Sequence, residues 1–118
     1  MNHILVVKDR VTKNVHVRTA LTEGTREVDF YLPLTSKSEQ YLKNLSDIGQ
    51  KLVRGVASIE GVTSVRVDLY SIKVIVAPLF DWDTEISHQV ISVVKDACYP
   101  HQEVSITEMT FDEFKAAS

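Results

Sequence analysis

A chain of 118 residues with a formal net charge of −3 is sized for one domain and lacks the concentrated positive field that nucleic-acid binding needs. Its 44% apolar and 25% charged residues are ordinary for a globular protein. A chain of this length buries about 65% of its unfolded surface, enough for a core without metal or disulfide staples. The single cysteine, Cys98, excludes an internal disulfide and an intrachain CxxC site and fits a reducing compartment.

The first apolar run, Ile4-Leu5-Val6-Val7, is too short for a signal peptide or a membrane span, so a cytoplasmic protein is expected. Apolar on both faces, it reads as a covered strand. Val15 and Val17 alternate with Asn14, His16 and Arg18 as a half-buried strand, and Thr22-Glu23-Gly24-Thr25 reads as a turn. Val28, Phe30 and Leu32 alternate with Glu27, Asp29 and Tyr31 in a third strand that Pro33 ends.

Ser36-Lys37-Ser38-Glu39 has the form of a capping box. Behind it, Tyr41, Leu42, Leu45, Ile48, Leu52, Val53 and Val56 recur at three and four residues, which predicts one helix of about five turns with a single apolar stripe. Gly49 and Gly55 sit within that stripe at a cost in helix propensity and mark close packing on the sheet. Gly61 is the left-handed residue expected past the helix end.

Two alternating strands follow over 62–69 and 72–76, closed by Pro78. Asp81 caps a second helix, with Asp83 and Glu85 in its positive first turn and Trp82, Ile86, Val90, Val93 and Ala97 as its buried stripe. Tyr99-Pro100 stops it. Val104 and Ile106 alternate with Glu103, Ser105 and Thr107 as a final strand, and Thr110-Phe111-Asp112-Glu113 caps a final helical turn. From Val28 the order is strand, helix, strand, strand, helix, strand. The fold expected is α+β: a ferredoxin-like two-layer sandwich, an antiparallel sheet with two helices on one face, preceded by an N-terminal β-hairpin. The single domain divides into the hairpin extension (1–25), the βαββαβ core (26–107) and a C-terminal tail (108–118).

The segment Ile59-Glu60-Gly61-Val62-Thr63-Ser64-Val65, followed by Ile72-Lys73-Val74 and then by Asp81-Trp82, resembles the amino-terminal domain of Nfu/NifU-type iron–sulfur scaffold proteins. The resemblance is motif-specific over 59–97 and extends by pattern from residue 13. It departs at 9–14, which lacks the family's Pro/Asn-rich turn, and does not reach 102–118. In that family the cluster-binding CxxC lies in a separate carboxy-terminal domain. The resemblance therefore implies an accessory, non-enzymatic module that docks a scaffold or target protein of iron–sulfur assembly and holds no cofactor itself. It leaves a homodimer open.

Cys98 and His101 are the residues to weigh for metal, since two chains meeting there would supply two thiolates and two imidazoles. A thiol at the negative end of a helix is more readily a buried core residue. His3, His16 and His88 show no metal-ligand spacing, and His16 and His88 read as solvated; Asp81 and Asp83 are explained by helix capping. Trp82 lies on an apolar stripe, which favours core packing over a partner contact. Phe111 and Phe114 either close a core edge or form a docking peptide. The aromatic ladder of an RNA-recognition module, a CxxC before the first helix and a Gly-rich anion cradle are all missing. The alternative function is a regulatory ferredoxin-like domain that senses a small ligand.

Overall fold

Alternating valines and isoleucines with polar neighbours build most of the sheet. In the computed structural model, which describes residues 2–24 and 26–117, they form β1 (His3–Lys8), β2 (Thr12–His16), β3 (Val28–Tyr31), β4 (Val62–Val67), β5 (Ser71–Val76) and β6 (Ser105–Thr110). Thr25, the last residue of the expected turn, lies outside the described residues. The six strands make one mixed sheet in the order β3-β4-β5-β2-β1-β6. Every pair is antiparallel except β1 and β6, which run parallel.

The fold is α+β with helices packed on a sheet, and the sheet is larger than the expected sandwich. The hairpin β1–β2 is not an extension: β2 pairs with β5 and β1 with β6, so the hairpin fills the middle of the sheet. A βαββαβ unit of the ferredoxin type would set its first and last strands side by side. Here β3 and β6 lie at opposite edges, because β1 has taken the position beside β6. Ile4 and Val6 on one face of β1 and Val7 on the other are buried, as the doubly apolar run predicts.

Four α-helices lie among the described residues: α1 (Ser36–Leu42), α2 (Asp47–Ala57), α3 (Ser87–Cys98) and α4 (Phe111–Ala117). The single five-turn helix expected over 36–56 is two helices. Its apolar stripe continues across the break, but residues 20–22 dock there. Ser46 ends the interruption by capping α2, its Oγ accepting from the Gly49 amide at 3.0 Å and donating to the Ala20 carbonyl at 2.8 Å. The Ser46 amide donates to the Leu21 carbonyl, and Leu45 bridges to Thr22. A Cβ on Gly49 would lie 1.9 Å from the Leu21 carbonyl oxygen, so only glycine admits this approach.

The first cap also differs by one residue from the expected one. Thr35, not Ser36, caps α1 reciprocally with Ser38. Glu39 is thereby left to reach Arg54 of α2 through two hydrogen bonds of 3.0 and 2.7 Å, tying the helices across their break.

Helices α2 and α3 pack against each other on one face of the sheet. Gly55 lies at their contact, where an added Cβ would meet Val93 Cγ1 at 2.5 Å. Gly49 and Gly55 therefore mark contact with a loop and with a helix, not with the sheet. Gly61 turns the chain at φ 99° into β4, and β4 pairs with β5 as expected. The segment before α3 is a single π turn over Trp82–Ile86, capped by Asp81, whose carboxylate accepts from the Thr84 amide and hydroxyl. The buried stripe then runs Trp82, Ile86, Val90, Val94 and Ala97. Val94 takes the buried place expected of Val93, and Val93 instead packs on Gly55 of α2.

The opposite face of the sheet is covered in part. The α4 cap is the Thr110–Glu113 box read in the sequence, with bonds of 3.0 and 3.1 Å. Phe114 stacks on His16 at 6.2 Å between ring centroids, and Val7, on the same face, is buried. Over β3, β4 and β5 this face carries Asp29, Tyr31, Arg66 and Lys73 instead.

Candidate functional site: a free sheet edge and its groove

Strand β3 is positioned by its inward residues. Val28 and Phe30 are buried on the helix side, and Asp29 and Tyr31 alternate outward. Its pairing with β4 fixes which backbone groups are used. The Leu32 amide donates to the Thr63 carbonyl at 3.0 Å, continuing the register Phe30↔Val65 and Val28↔Val67. In an antiparallel pair, hydrogen-bonded positions alternate. Residues 28, 30 and 32 therefore bond inward, and the N–H and C=O of Asp29 and Tyr31 point away from the sheet with no partner among the described residues.

Those groups border a groove of about 660 Å3 between β3 and α1, with Leu32 and Pro33 at its end and Tyr41 on the helix wall. Tyr31 is 77% exposed and Tyr41 47%, two large aromatic surfaces open to solvent on this side of the molecule. The charges are unequal. Asp29 and Glu27 are held by Arg66, at 2.7 and 3.5 Å, and these carboxylates raise the Arg66 pKa above its ordinary value, first through the Asp29 hydrogen bond. Arg26 and Lys37 also line the groove, and neither has an ion-pair partner among the described residues. The groove is thus largely apolar and aromatic, and three cations, Arg26, Lys37 and Arg66, stand against the two carboxylates Asp29 and Glu27, leaving one positive charge in excess.

A second concavity, about 570 Å3, lies at the end of the sheet beside the π turn. Lys13 is buried there on the helix side of β2, where the sequence places a polar residue without signalling its burial. Its ammonium donates to the carbonyls of Asp9 and Arg10, and burial lowers its pKa against the opposing pull of Asp83 and Asp9. The buried Trp82 indole N–H has no partner among the described residues.

The residues singled out in the sequence are scattered. Cys98 is buried, and burial pushes its thiol up to about 11, away from thiolate chemistry at neutral pH. His101 is exposed in the turn after α3 with a left-handed backbone (φ 60°). Among the described residues no group of three or more His, Cys, Asp or Glu side chains could hold a metal ion. Trp82 is a core residue, 5% exposed. Phe111 is 41% exposed with the Lys115 ammonium 5.5 Å above its ring, and Phe114 closes onto His16. His16, expected to be solvated, is half-covered, and this desolvation lowers its pKa. His3 bonds Ser105 across β1–β6, while His88 is exposed. Asp81 caps the π turn, and Asp83 pairs with Lys8 at 3.2 Å.

The groove residues Tyr31, Tyr41, Arg26 and Lys37 are not among those candidates. The available signal is an outward aromatic on a short strand followed by proline, which marks an edge. No helix among the described residues is long and apolar enough to cross a membrane. No protein-family model matches the chain, and no curated protein does. Among solved structures it is similar to protein SAV1430 from Staphylococcus aureus, with a TM-score of 0.53 and 16% identity over 75% of this chain and 92% of that one. At that identity the likeness is one of fold alone.

Proposed function

We propose that this chain is a non-enzymatic protein-binding module of iron–sulfur cluster assembly, which docks a scaffold or target protein and carries no cluster. The observation behind the binding role is the β3 edge, where unpaired backbone groups, two exposed tyrosines and free positive charge share one groove. The assignment to iron–sulfur assembly rests on the motifs at 59–65, 72–74 and 81–82. In each, the resembling residues also serve the local structure. Gly61 makes the left-handed turn, Ile72 and Val74 face the core, and Asp81 caps the π turn.

The test is calorimetric titration of the purified chain with purified CxxC-bearing scaffold and carrier proteins of the same organism, both apo and cluster-loaded. Saturable binding to at least one is expected. No heat with any of them would remove the iron–sulfur assignment. A groove of this volume is also within the roughly 300–1,000 Å3 of small-molecule sites, which favours ligand sensing as a second reading. In that case amino acids or nucleotides would raise the melting temperature, since a ligand bound only to the native state stabilises it.

A further inference from the structure

We infer that the β3 groove binds an extended acidic segment of a partner protein, which adds to β3 as a seventh strand. The inference rests on the protein-binding reading above and names the occupant of that site. Asp29 and Tyr31 each turn one N–H and one C=O outward, spaced two residues apart, which is the repeat at which an added strand pairs. The strand is held in place by its buried residues Val28 and Phe30, so the edge is ordered before anything binds. An ordered edge reduces the entropy cost of association.

Charge decides what kind of strand fits. The two carboxylates of this edge, Asp29 and Glu27, share the one guanidinium of Arg66, whereas Arg26 and Lys37 have no ion-pair partner among the described residues, so the edge keeps one positive charge in excess. The groove thus selects for glutamate or aspartate in the incoming segment and against lysine and arginine. Tyr31 and Tyr41 offer rigid aromatic surface to apolar residues alternating with the acidic ones.

The experiment is selection from a random-peptide library displayed on phage against the immobilised full chain, followed by amide exchange with a synthetic copy of the most enriched peptide. Enrichment of acidic, β-forming sequences is expected, with at least tenfold slower exchange of the Asp29 and Tyr31 amides when the peptide is bound. The doubly reversed variant Arg26→Glu, Lys37→Glu lies on the exposed surface and should lose at least tenfold in affinity with an unchanged melting temperature. Tyr31→Pro, which removes an outward N–H that the sheet does not use, should also lose binding. Enrichment of basic peptides, no enrichment at all, or protection mapping away from β3 would overturn the inference. So would Asp29 and Tyr31 amides protected without peptide in a concentration-dependent dimer. Peptide binding at β3 with silent scaffold titrations would leave this groove standing and remove only the iron–sulfur role. Scaffold binding that ignores the charge reversal and leaves the β3 amides exchanging would do the opposite.

Discussion

The two edges of the sheet are built differently. Strand β3 has four residues, two of them buried, and its outer side opens into a groove walled by α1. Strand β6 has six residues, none of them buried, and it joins the sheet parallel to β1. The shorter edge is the better anchored one. Burial of Phe30 at 1% exposure fixes β3, whereas β6 depends on its ladder to β1, on Glu108 accepting from Ser87, and on α4 folding back. A binding edge needs a fixed template, and a covering edge does not. This difference is why the binding role is assigned to β3.

The sharpest way to break the comparison is to truncate one residue on each edge. Phe30→Ala should cost about 3–5 kcal/mol in urea unfolding, because it leaves a cavity under β3. Ile106→Ala, at 42% exposure, should cost less than about 1 kcal/mol. Equal losses would mean that both edges are held alike. Next in size is Gly49→Ala, where the new Cβ would meet the Leu21 carbonyl that docks at the break between α1 and α2. Overpacking of this kind should cost about 1–3 kcal/mol. Gly24→Ala, with open space around the added carbon, serves as the control and should not lower stability. Ser46→Ala removes the α2 cap and the bond to Ala20 together, and a loss of about 1–2 kcal/mol is expected by the same measurement.

These residues also mark what the sequence could and could not tell. The turn at Gly61, the pairing of β4 with β5, the Asp81 cap and the Thr110–Glu113 box were all legible, because each depends on residues within a few positions of one another. The break at residues 43–46 was not. Leu42, Leu45 and Ile48 keep helical spacing through it, and the segment that interrupts them lies more than twenty residues earlier in the chain. Strand order was hidden for the same reason. The β1 run announced its burial, but nothing local says that its neighbour is β6 in parallel. The site followed suit: Tyr31 could be read as outward-facing, yet an outward residue becomes a binding residue only where the strand has no neighbour. Lys13 shows the converse, a charged residue buried because two carbonyls of the β1–β2 turn satisfy it.

The smallest predicted effect concerns the β6 side and depends on pH. His16 has a pKa below its ordinary value because Phe114 and the sheet remove it from water, against a weaker raising effect from Asp68. The unfolded chain therefore takes up a proton on this residue before the folded one does. The neutral ring's contribution to stability is complete above about pH 6.5 and declines as the pH falls below it. Removing residues 111–118 uncovers the ring. The His16 pKa, followed by NMR titration, should then move up toward its ordinary value, and the part of the acid-side stability loss due to His16 should shrink. Peptide binding at β3 should be unchanged, because α4 packs on β6 and β1, at the far side of the sheet from that edge. A truncated protein that kept a depressed His16 pKa would place the cause in the sheet itself. Loss of β3 binding with the helix would show that the two edges are coupled through the sheet, and the division between a template edge and a covering edge would fail.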